Sequence, residues 1–568
     1  MRARFLQALF ILLFIVIFPL IAAPEAISSE GENLLPQAER LYQALDWEGV
    51  LRLIPPDSTA PPELQYYRGM ALARLGQWQQ ARDAFELGKK LSPRNKKFLQ
   101  ELAGVHFKLG DYSGAKSNLL KALKIDPADR YNKDFLASLY LWDGNVEAAI
   151  KFWNPDGPLI ENVQVEPPSR LNIVVSDRAF VFAPSSLLKL DEFRTTGARL
   201  EQLKLYPRPA FQLKPRSDGK FDLFFRAHER NGLGDSSIEK TFSVLRESPG
   251  LSLHLDLFNL SGSGGNSESW ARLDPEKFRL MTRFSAPLLS NPAWRYDFYL
   301  EGRRENWDLT MSYPDEAPLA GDLRLRRLSA GFGIQNIPSW RWKWKTGVEF
   351  SYRDFDNPPT TPSASQVLFL KGGLIRYQVH VENILLQQPE RHLKLGTFAT
   401  ANLGKFFASS KGVFSRLQGG LKAEWNPGAS GQDWFLYSHF RMGRTGREIP
   451  FDELFVLGLE RDNDLWLRGL VATHDRKRGS GLLGAGYLLF NVGCEKRIYR
   501  NPLFNIFAGP FLDSGRSYDR NGLFGADSWH WNTGIVVKTR LYNGLTVDLI
   551  LGRDFQSARN GFYVTPSN

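Results

Sequence analysis

The stretch WRWKWKTGVEFSYR, residues 340–353, decides the fold of this chain. Apolar residues alternate with charged residues along most of it, which predicts a β-strand with one apolar face and one polar face. The expected apolar face carries Trp340, Trp342, Trp344, Val348, Phe350 and Tyr352. The expected polar face carries Arg341, Lys343, Lys345, Glu349 and Arg353.

The same period of two returns along the whole C-terminal region, residues 229–568. It is clear in LSLHLDLFNL (251–260), WRYDFYLE (294–301) and LTVDLILGRDF (545–555). Turn-rich stretches such as DNPPTTPS and NPGASGQ separate the strands, and no helical pattern intervenes. The apolar faces must therefore pack either in the core of a soluble β protein or against lipid.

The length of this region favours lipid. A soluble sandwich of about 340 residues would normally divide into domains of about 100 residues, and no such repeat is present. A closed barrel removes the unpaired edges and satisfies every backbone hydrogen bond inside a membrane. We therefore predict an antiparallel transmembrane β-barrel of about 16 strands. The leucines of residues 251–260 would then face lipid, with soluble β folds as the alternative.

The composition of the chain limits the kinds of partner that it can bind. Aromatic residues make up 13% of the chain, including 15 Trp and 40 Phe, which suits a large β core, sugar binding or the aromatic girdles of a barrel. The formal charge of +11 indicates affinity for outer-membrane lipid, lipopolysaccharide or an acidic polymer. No basic block dense enough for nucleic acid is present. Cys494 is the single cysteine, so an intrachain disulfide is excluded.

Residues 1–28 have the pattern of a secretory signal peptide. Arg2 and Arg4 precede an apolar run from Phe5 to Ile21, and small residues follow. The alternative is an uncleaved membrane anchor. Both predict that the rest of the chain is exported.

A period of 34 residues marks the region 35–155. Three glycines and three alanines keep this step: Gly76, Gly110, Gly144, Ala81, Ala115 and Ala149. Such a period is typical of tetratricopeptide repeats, in which small alanines let paired helices approach and a glycine occupies the turn. We predict an all-α solenoid that docks a protein partner.

Residues 156–228 predict a small α+β module. LIENVQVE (159–166) and LNIVVS (171–176) have strand character, and a helix is expected from Ser185 to Leu203. AFQL and KFDLFF flank Ser217, Asp218 and Gly219, a hairpin signal.

The last hundred residues carry more specific patterns. FDELFVLGLERDNDLWLRGL (451–470) precedes GLLGAGYLLFNVGCEKRI (481–498) and PLFNIFAGPFLDSG (502–515). This order resembles the BamA/TamA surface-antigen superfamily of outer-membrane barrels. The matching positions are Arg468, Gly469, Glu495, Phe511, Asp513 and Gly515.

The resemblance implies a loop folded into the barrel lumen. It implies that Arg468 pairs with Asp513 and Glu495, and a forked guanidinium is suited to bridging carboxylates. It also implies that residues 156–228 resemble the polypeptide-transport-associated modules that precede such barrels.

Catalytic chemistry is not expected. Gly479, Gly481 and Gly484 have G-x-G-x-x-G spacing, but a strand pattern follows where a nucleotide site needs a helix. No metalloprotease, P-loop or nucleophile-elbow motif is present. We predict no enzyme activity, cofactor or metal.

Three functions follow as hypotheses. The first is an outer-membrane barrel of the BamA/TamA type that inserts, assembles or secretes polypeptides, with periplasmic repeats docking a client or periplasmic protein. The runner-up is an exopolysaccharide export pore with a periplasmic tetratricopeptide scaffold. An outer-membrane lipid enzyme is the third.

Overall fold

In the computed structural model, the chain divides into two compact units, one ending at Leu136 and the other beginning at Ala137. The structure describes residues 29–56, 60–207, 209–230, 252–309, 322–358, 368–407, 413–428, 431–446, 448–519, 528–541 and 546–567. The predicted signal peptide lies outside these residues. No helix in these ranges is both long and apolar enough to cross a membrane.

The N-terminal part consists of helices that pair in antiparallel hairpins. Their bounds are α1 Ser29–Gln43, α2 Trp47–Leu53, α3 Pro62–Arg74, α4 Trp78–Leu91, α5 Lys96–Lys108, α6 Tyr112–Ile125, α7 Arg130–Trp142 and α8 Val146–Trp153. Gly76, Gly110 and Gly144 lie between paired helices with φ of +76°, +77° and +78°. A residue with a Cβ rarely adopts this conformation, so glycine suits each turn. Ala81, Ala115 and Ala149 are fully buried.

A mixed α+β connector follows. Its strands are β1 Leu159–Glu166, β2 Ser186–Leu187, β3 Ala210–Pro215 and β4 Phe221–Arg226, and its helices are α9 Ile173–Ala179 and α10 Leu190–Leu203. The sheet order is β2-β1-β4-β3. Strands β1 and β4 are parallel, whereas β3 and β4 form the predicted hairpin.

Two connector predictions are wrong. The stretch LNIVVS does not form a strand but begins helix α9, because the Asn172 side chain accepts a hydrogen bond from the Val174 N–H and caps the helix. The burial of Val175 and Ala179 then outweighs the strand preference of the β-branched run. The second helix begins at Leu190 rather than near Ser185, since Ser186 and Leu187 pair with β1.

The C-terminal region is a closed antiparallel barrel, which confirms the predicted fold class. Fifteen long strands lie within the described residues: β5 Ser252–Leu260, β6 Gly265–Leu273, β7 Lys277–Leu288, β8 Asn291–Asp308, β9 Asp322–Ser339, β10 Trp342–Asp356, β11 Gly372–Gln388, β12 Leu393–Phe406, β13 Val413–Trp425, β14 Trp434–Thr445, β19 Gly486–Arg500, β20 Phe504–Tyr518, β21 His530–Leu541, β22 Thr546–Asp554 and β23 Asn560–Ser567. Four short strands lie between β14 and β19: β15 Phe455–Leu457, β16 Thr473–His474, β17 Lys477–Arg478 and β18 Leu482–Gly484.

The apolar faces of the strands point outward. In β5, Leu253 and Leu255 are 41% and 48% exposed, whereas Ser252 and His254 are buried. In β10, Phe350 and Tyr352 are exposed, and Glu349 and Arg353 are buried. The barrel therefore has an apolar exterior and a charged interior, the reverse of a soluble β protein.

Trp340 departs from the predicted face. It precedes β10 and is buried, and its indole N–H donates to Oδ1 of Asp191 in α10 at 2.9 Å. The register shifts between Trp342 and Trp344, so the alternation begins only beyond this irregularity.

The connector and the preceding helix α8 together contact four successive turns at one end of the barrel. The N–H of Asn172 donates to the carbonyl of Gly262 between β5 and β6 at 2.7 Å, and Arg178 donates to the carbonyl of Leu289 at 2.6 Å. The third contact is made by Trp340. At the fourth, Lys151 of α8 pairs with Glu390 at 2.7 Å in the turn between β11 and β12. We call this end of the barrel the connector end.

Candidate functional site: the lumen loop

Residues 446–485, which we call the lumen loop, connect β14 to β19 and fold into the barrel. The loop contains a 3-10 turn at Phe451–Glu453 and the short strands β15 Phe455–Leu457, β16 Thr473–His474, β17 Lys477–Arg478 and β18 Leu482–Gly484. Strands β15 and β18 pair with each other. Five loop side chains pack in one apolar cluster with Tyr487 and Leu489 of β19: Phe455, Leu457, Leu465, Leu467 and Leu470.

Arg468 forms a forked ion pair with Asp513 of β20. Its Nη2 lies 2.6 Å from Oδ1 and its Nε lies 2.9 Å from Oδ2. The backbone N–H of Arg468 also donates to Oδ2 at 2.8 Å. Arg468 is 5% exposed and Asp513 is fully buried, so three charge-assisted hydrogen bonds hold the loop to the wall where water does not compete.

Aromatic and amide groups surround this pair. The guanidinium carbon of Arg468 lies 4.0 Å from the centre of the Phe511 ring, a cation–π contact. Its Nη1 hydrogen-bonds the Tyr437 hydroxyl of β14. Asn491 of β19 donates to Asp513 Oδ1 and also to the carbonyl of Trp466, both at 2.8 Å. The pair is therefore held from three adjacent strands.

The two glycines permit close approach. A Cβ on Gly469 would lie 2.4 Å from the backbone carbon of Arg553 in β22. The Gly469 N–H donates to Oδ1 of Asn532 at 2.9 Å. A Cβ on Gly515 would lie 3.0 Å from the Leu467 side chain. Both positions let the loop backbone lie directly on the wall.

Glu495 does not pair with Arg468, which corrects the implied arrangement. Its carboxylate is buried and lies 3.0 Å from Nζ of Lys538 in β21. Glu495 occupies β19 two inward positions beyond Asn491, toward the connector end. The loop arginine is therefore matched by Asp513 rather than by two carboxylates.

Five arginines lie directly opposite one another on the inner wall. Across β6 to β10, Arg272 pairs in register with Arg279, Arg279 with Arg303, Arg303 with Arg327, and Arg327 with Arg353. We call these residues the arginine row. Like charges facing each other across strands are destabilising, so the row requires counter-ions.

The 3-10 turn of the lumen loop supplies the first counter-ions of the arginine row. Asp452 accepts from Arg353 at 2.7 Å and from Arg327 at 3.0 Å, and it lies 3.5 Å from Arg303. Glu453 lies 3.1 Å from Arg376 of β11. Both carboxylates are nearly fully buried.

A second acidic segment of the lumen loop supplies the remaining counter-ions of the arginine row. Asp462 accepts from Arg279 at 2.7 Å and also pairs with Arg272. Glu460, fully buried, pairs with Lys277 of β7 and lies 3.4 Å from the loop's own Arg478. Arg478 in turn lies 3.0 Å from Glu305 of β8. Every member of the arginine row thus contacts a loop carboxylate.

The lumen loop is consequently anchored on three sectors of the wall: β8–β11, β6–β8 and β19–β22. A cavity of about 540 Å³ remains beside the loop, and its lining includes Arg283, Lys345, His380 and Arg416. The described residues of the interior supply charged and hydrogen-bonding side chains. The charged side chains of the barrel interior hold the lumen loop across the lumen.

Only the third anchor was predicted from the sequence. Asp452, Glu453, Asp462 and the arginine row were missed, although the polar face expected for residues 340–353 includes Arg353. The signal was the pairing of acidic residues in FDELF and LERDND with those arginines. Predicting these ion pairs requires the register between strands, which a single sequence does not give.

Comparison with known proteins confirms the tetratricopeptide repeats over part of the N-terminal region. The tetratricopeptide repeat family model matches residues 62–95. No curated protein sequence matches the chain.

Three solved structures are similar to this chain. BamA from Haemophilus ducreyi lacking POTRA domains 1-3 is 10% identical, with 72% of this chain and 84% of that chain covered at a TM-score of 0.42. CdiB from Escherichia coli is 10% identical, covering 72% and 74% at a TM-score of 0.48. CdiB from Acinetobacter baumannii is 12% identical, covering 81% and 86% at a TM-score of 0.45.

Proposed function

We propose that this chain is an outer-membrane barrel of the BamA/TamA type that inserts, assembles or secretes polypeptides. Its repeats dock a polypeptide client or a periplasmic protein. The barrel has a closed wall with an apolar exterior, which suits lipid, and a charged interior, which suits water and a polar loop.

The observation that carries this proposal is the lumen loop held by ion pairs on three sectors of the wall. Breaking such a pair costs about 3–5 kcal/mol, so the loop is a stable plug whose release requires other interactions. Engagement of a client is a source of those interactions.

The proposed orientation places the connector end in the periplasm. Export directed by residues 1–28 would deliver the repeats, the connector and the barrel to that compartment. The connector and helix α8 contact four turns of the barrel, so a segment bound near the connector lies beside the barrel mouth. Its β1-α9-β2-α10-β3-β4 order supports comparison with transport-associated modules.

The solenoid carries an aromatic cluster suited to a protein partner. Phe107 lies 5.7 Å from Tyr112 and 5.8 Å from Phe135, measured between ring centres. Tyr131 lies 6.2 Å from Phe135 and is 63% exposed, and Phe107 is 39% exposed. Exposed aromatic side chains supply large contact area at low entropic cost, and they recur at protein interfaces.

The polymer-export alternative is less well supported. A glycan pore needs a continuous lumen, whereas the lumen loop contacts opposite sectors of the wall. The proposal likewise assigns no enzyme activity, cofactor or metal to the chain.

The test compares the outer-membrane and secreted proteins of cells with the wild-type chain, without it, and with the Phe107→Ala/Tyr131→Ala variant. We expect a defined set of proteins to be lost without the chain and reduced in the variant, with surface polysaccharide unchanged. An unchanged protein inventory with lost extracellular glycan would overturn the proposal in favour of polymer export.

A further inference from the structure

The outer wall of the barrel contains an apolar recess centred on β13. Its volume is about 1,010 Å³, at the upper end of the range for ligand pockets. The recess spans β11 to β19, with a lining that includes Val381, Ala399, Gly419, Met442 and Leu488. These residues lie side by side in one row across five strands.

Small residues create the recess and large residues form its sides. Ala399 of β12 and Gly419 of β13 are directly opposite each other at its floor. Leu417 and Leu421, two positions to either side of Gly419, are 54% and 44% exposed, and Met442 is 51% exposed. The result is a groove of methyl and methylene groups on the face that would contact lipid.

Cationic side chains lie at the end of the recess that is remote from the connector. Arg444, an exposed residue that lines the recess, is next to the last residue of β14. Arg516 of β20 pairs in register with Leu488, and its guanidinium carbon lies 4.8 Å from the centre of the Tyr518 ring. Tyr518 also lines the recess. An outward arginine on a barrel wall is tolerated near the membrane interface but is strongly destabilising at the midplane.

We propose that this recess binds a phosphorylated, multiply acylated lipid of the lipid A type. The acyl chains would occupy the groove of Ala399 and Gly419, and the phosphates would meet Arg444 and Arg516. Charge complementarity selects an anionic head group, because arginines near a membrane surface attract anionic lipid. The position at the end away from the connector selects the outer leaflet, a choice that rests on the proposed orientation.

The proposal is tested with the purified full chain in zwitterionic micelles. The probes are bisphosphorylated hexa-acyl lipid A, the same lipid without phosphates, and dimyristoylphosphatidylglycerol. The readouts are the dissociation constant and the rise in unfolding temperature. The variants are Arg444→Gln, which removes charge, and Ala399→Phe, which fills the exposed floor of the recess.

Two matched variants serve as controls. Arg304→Gln removes an exposed arginine from β8, and Leu328→Phe enlarges an exposed residue of β9; neither lines the recess. We expect lipid A to bind at least fivefold more weakly to Arg444→Gln and to Ala399→Phe. The two controls should bind as the wild type does.

Equal binding of lipid A with and without phosphates would overturn the role of Arg444. Unchanged binding to the folded Ala399→Phe chain would overturn the recess as the site. Binding of phosphatidylglycerol as tight as that of lipid A would overturn the assignment to the outer leaflet. None of these outcomes depends on the client inventory, so failure of the proposed function is distinguishable from failure of this site.

Discussion

Arg468 of the lumen loop and Asp513 of β20 are joined by three hydrogen bonds from one residue to one carboxylate, two from the guanidinium and one from the backbone N–H. Both residues are nearly fully buried. Since the backbone and the side chain of Arg468 both depend on Asp513, the pair fixes the path of the loop as well as its charge. A charge swap between the two residues would therefore not rebuild the arrangement.

The first prediction concerns this pair. Asp513→Asn leaves the guanidinium without its carboxylate, and we expect the free energy of unfolding to fall by about 3–5 kcal/mol. The temperature at which the folded band of the barrel disappears on gels reports this destabilisation. Replacing both partners by apolar residues, Arg468→Met with Asp513→Leu, should cost less than Asp513→Asn alone. A larger loss in the double variant would contradict a buried pair.

The second prediction concerns Gly469. An alanine Cβ would overlap the backbone of Arg553, which no side-chain rotation relieves. We expect Gly469→Ala to lower stability by about 1–3 kcal/mol and to make the loop sensitive to protease. Gly197→Ala is the control, because a Cβ there meets nothing within 4 Å and lies in helix α10. Equal behaviour of the two variants would argue against close contact between loop and wall.

The third prediction concerns the junction of connector and barrel. Trp340→Phe keeps an aromatic side chain but removes the indole N–H and its hydrogen bond to Asp191. Such a hydrogen bond contributes about 0.5–1.5 kcal/mol. We expect faster amide hydrogen exchange in α10, with exchange in β19–β22 unchanged. Trp342→Phe, an exposed position two residues away, is the matched control. Unchanged exchange in α10 would show that the connector is held without Trp340.

The fourth prediction concerns acid sensitivity of the solenoid. The Gly114 N–H and His106 hydrogen-bond the Asp111 carboxylate at the start of α6, and together they hold the pKa of Asp111 below its ordinary value despite opposition from burial. Because the folded pKa is depressed, the stabilisation is present above the unfolded pKa of about 3.9 and is lost as pH falls through the folded pKa.

Helical circular dichroism at 222 nm during heating measures this effect. Between pH 5 and pH 3, the wild-type solenoid should lose more thermal stability than Asp111→Asn, which keeps the cap without the charge. At pH 7, Asp111→Ala should cost about 1 kcal/mol. The same pH dependence in wild type and Asp111→Asn would exclude a role for this carboxylate.

The helices and strands that depend on patterns of nearby residues could be predicted from the sequence. The period of two in residues 342–356 and the 34-residue step of Gly76, Gly110 and Gly144 each depend on neighbours along the chain. The helix at Ile173–Ala179 was missed because a side-chain cap at Asn172 outweighed the strand preference. Arg468 and Asp513 were found through a family resemblance, whereas the arginine row depends on register between strands. Charge alone did not distinguish an inward arginine that contacts Asp452 from one exposed to water.

The central claim is that loop carboxylates neutralise the arginine row and hold the loop in the lumen. Conductance in planar lipid bilayers tests it, with the full chain compared with Asp452→Asn/Asp462→Asn. Asp464→Asn is the control, since Asp464 is an exposed loop carboxylate whose side chain lies 3.8 Å from Arg441, outside the arginine row. We predict low conductance for the wild type and the control, and larger, anion-preferring conductance for the double variant. Equal conductance in all three, with the barrel folded, would contradict the account.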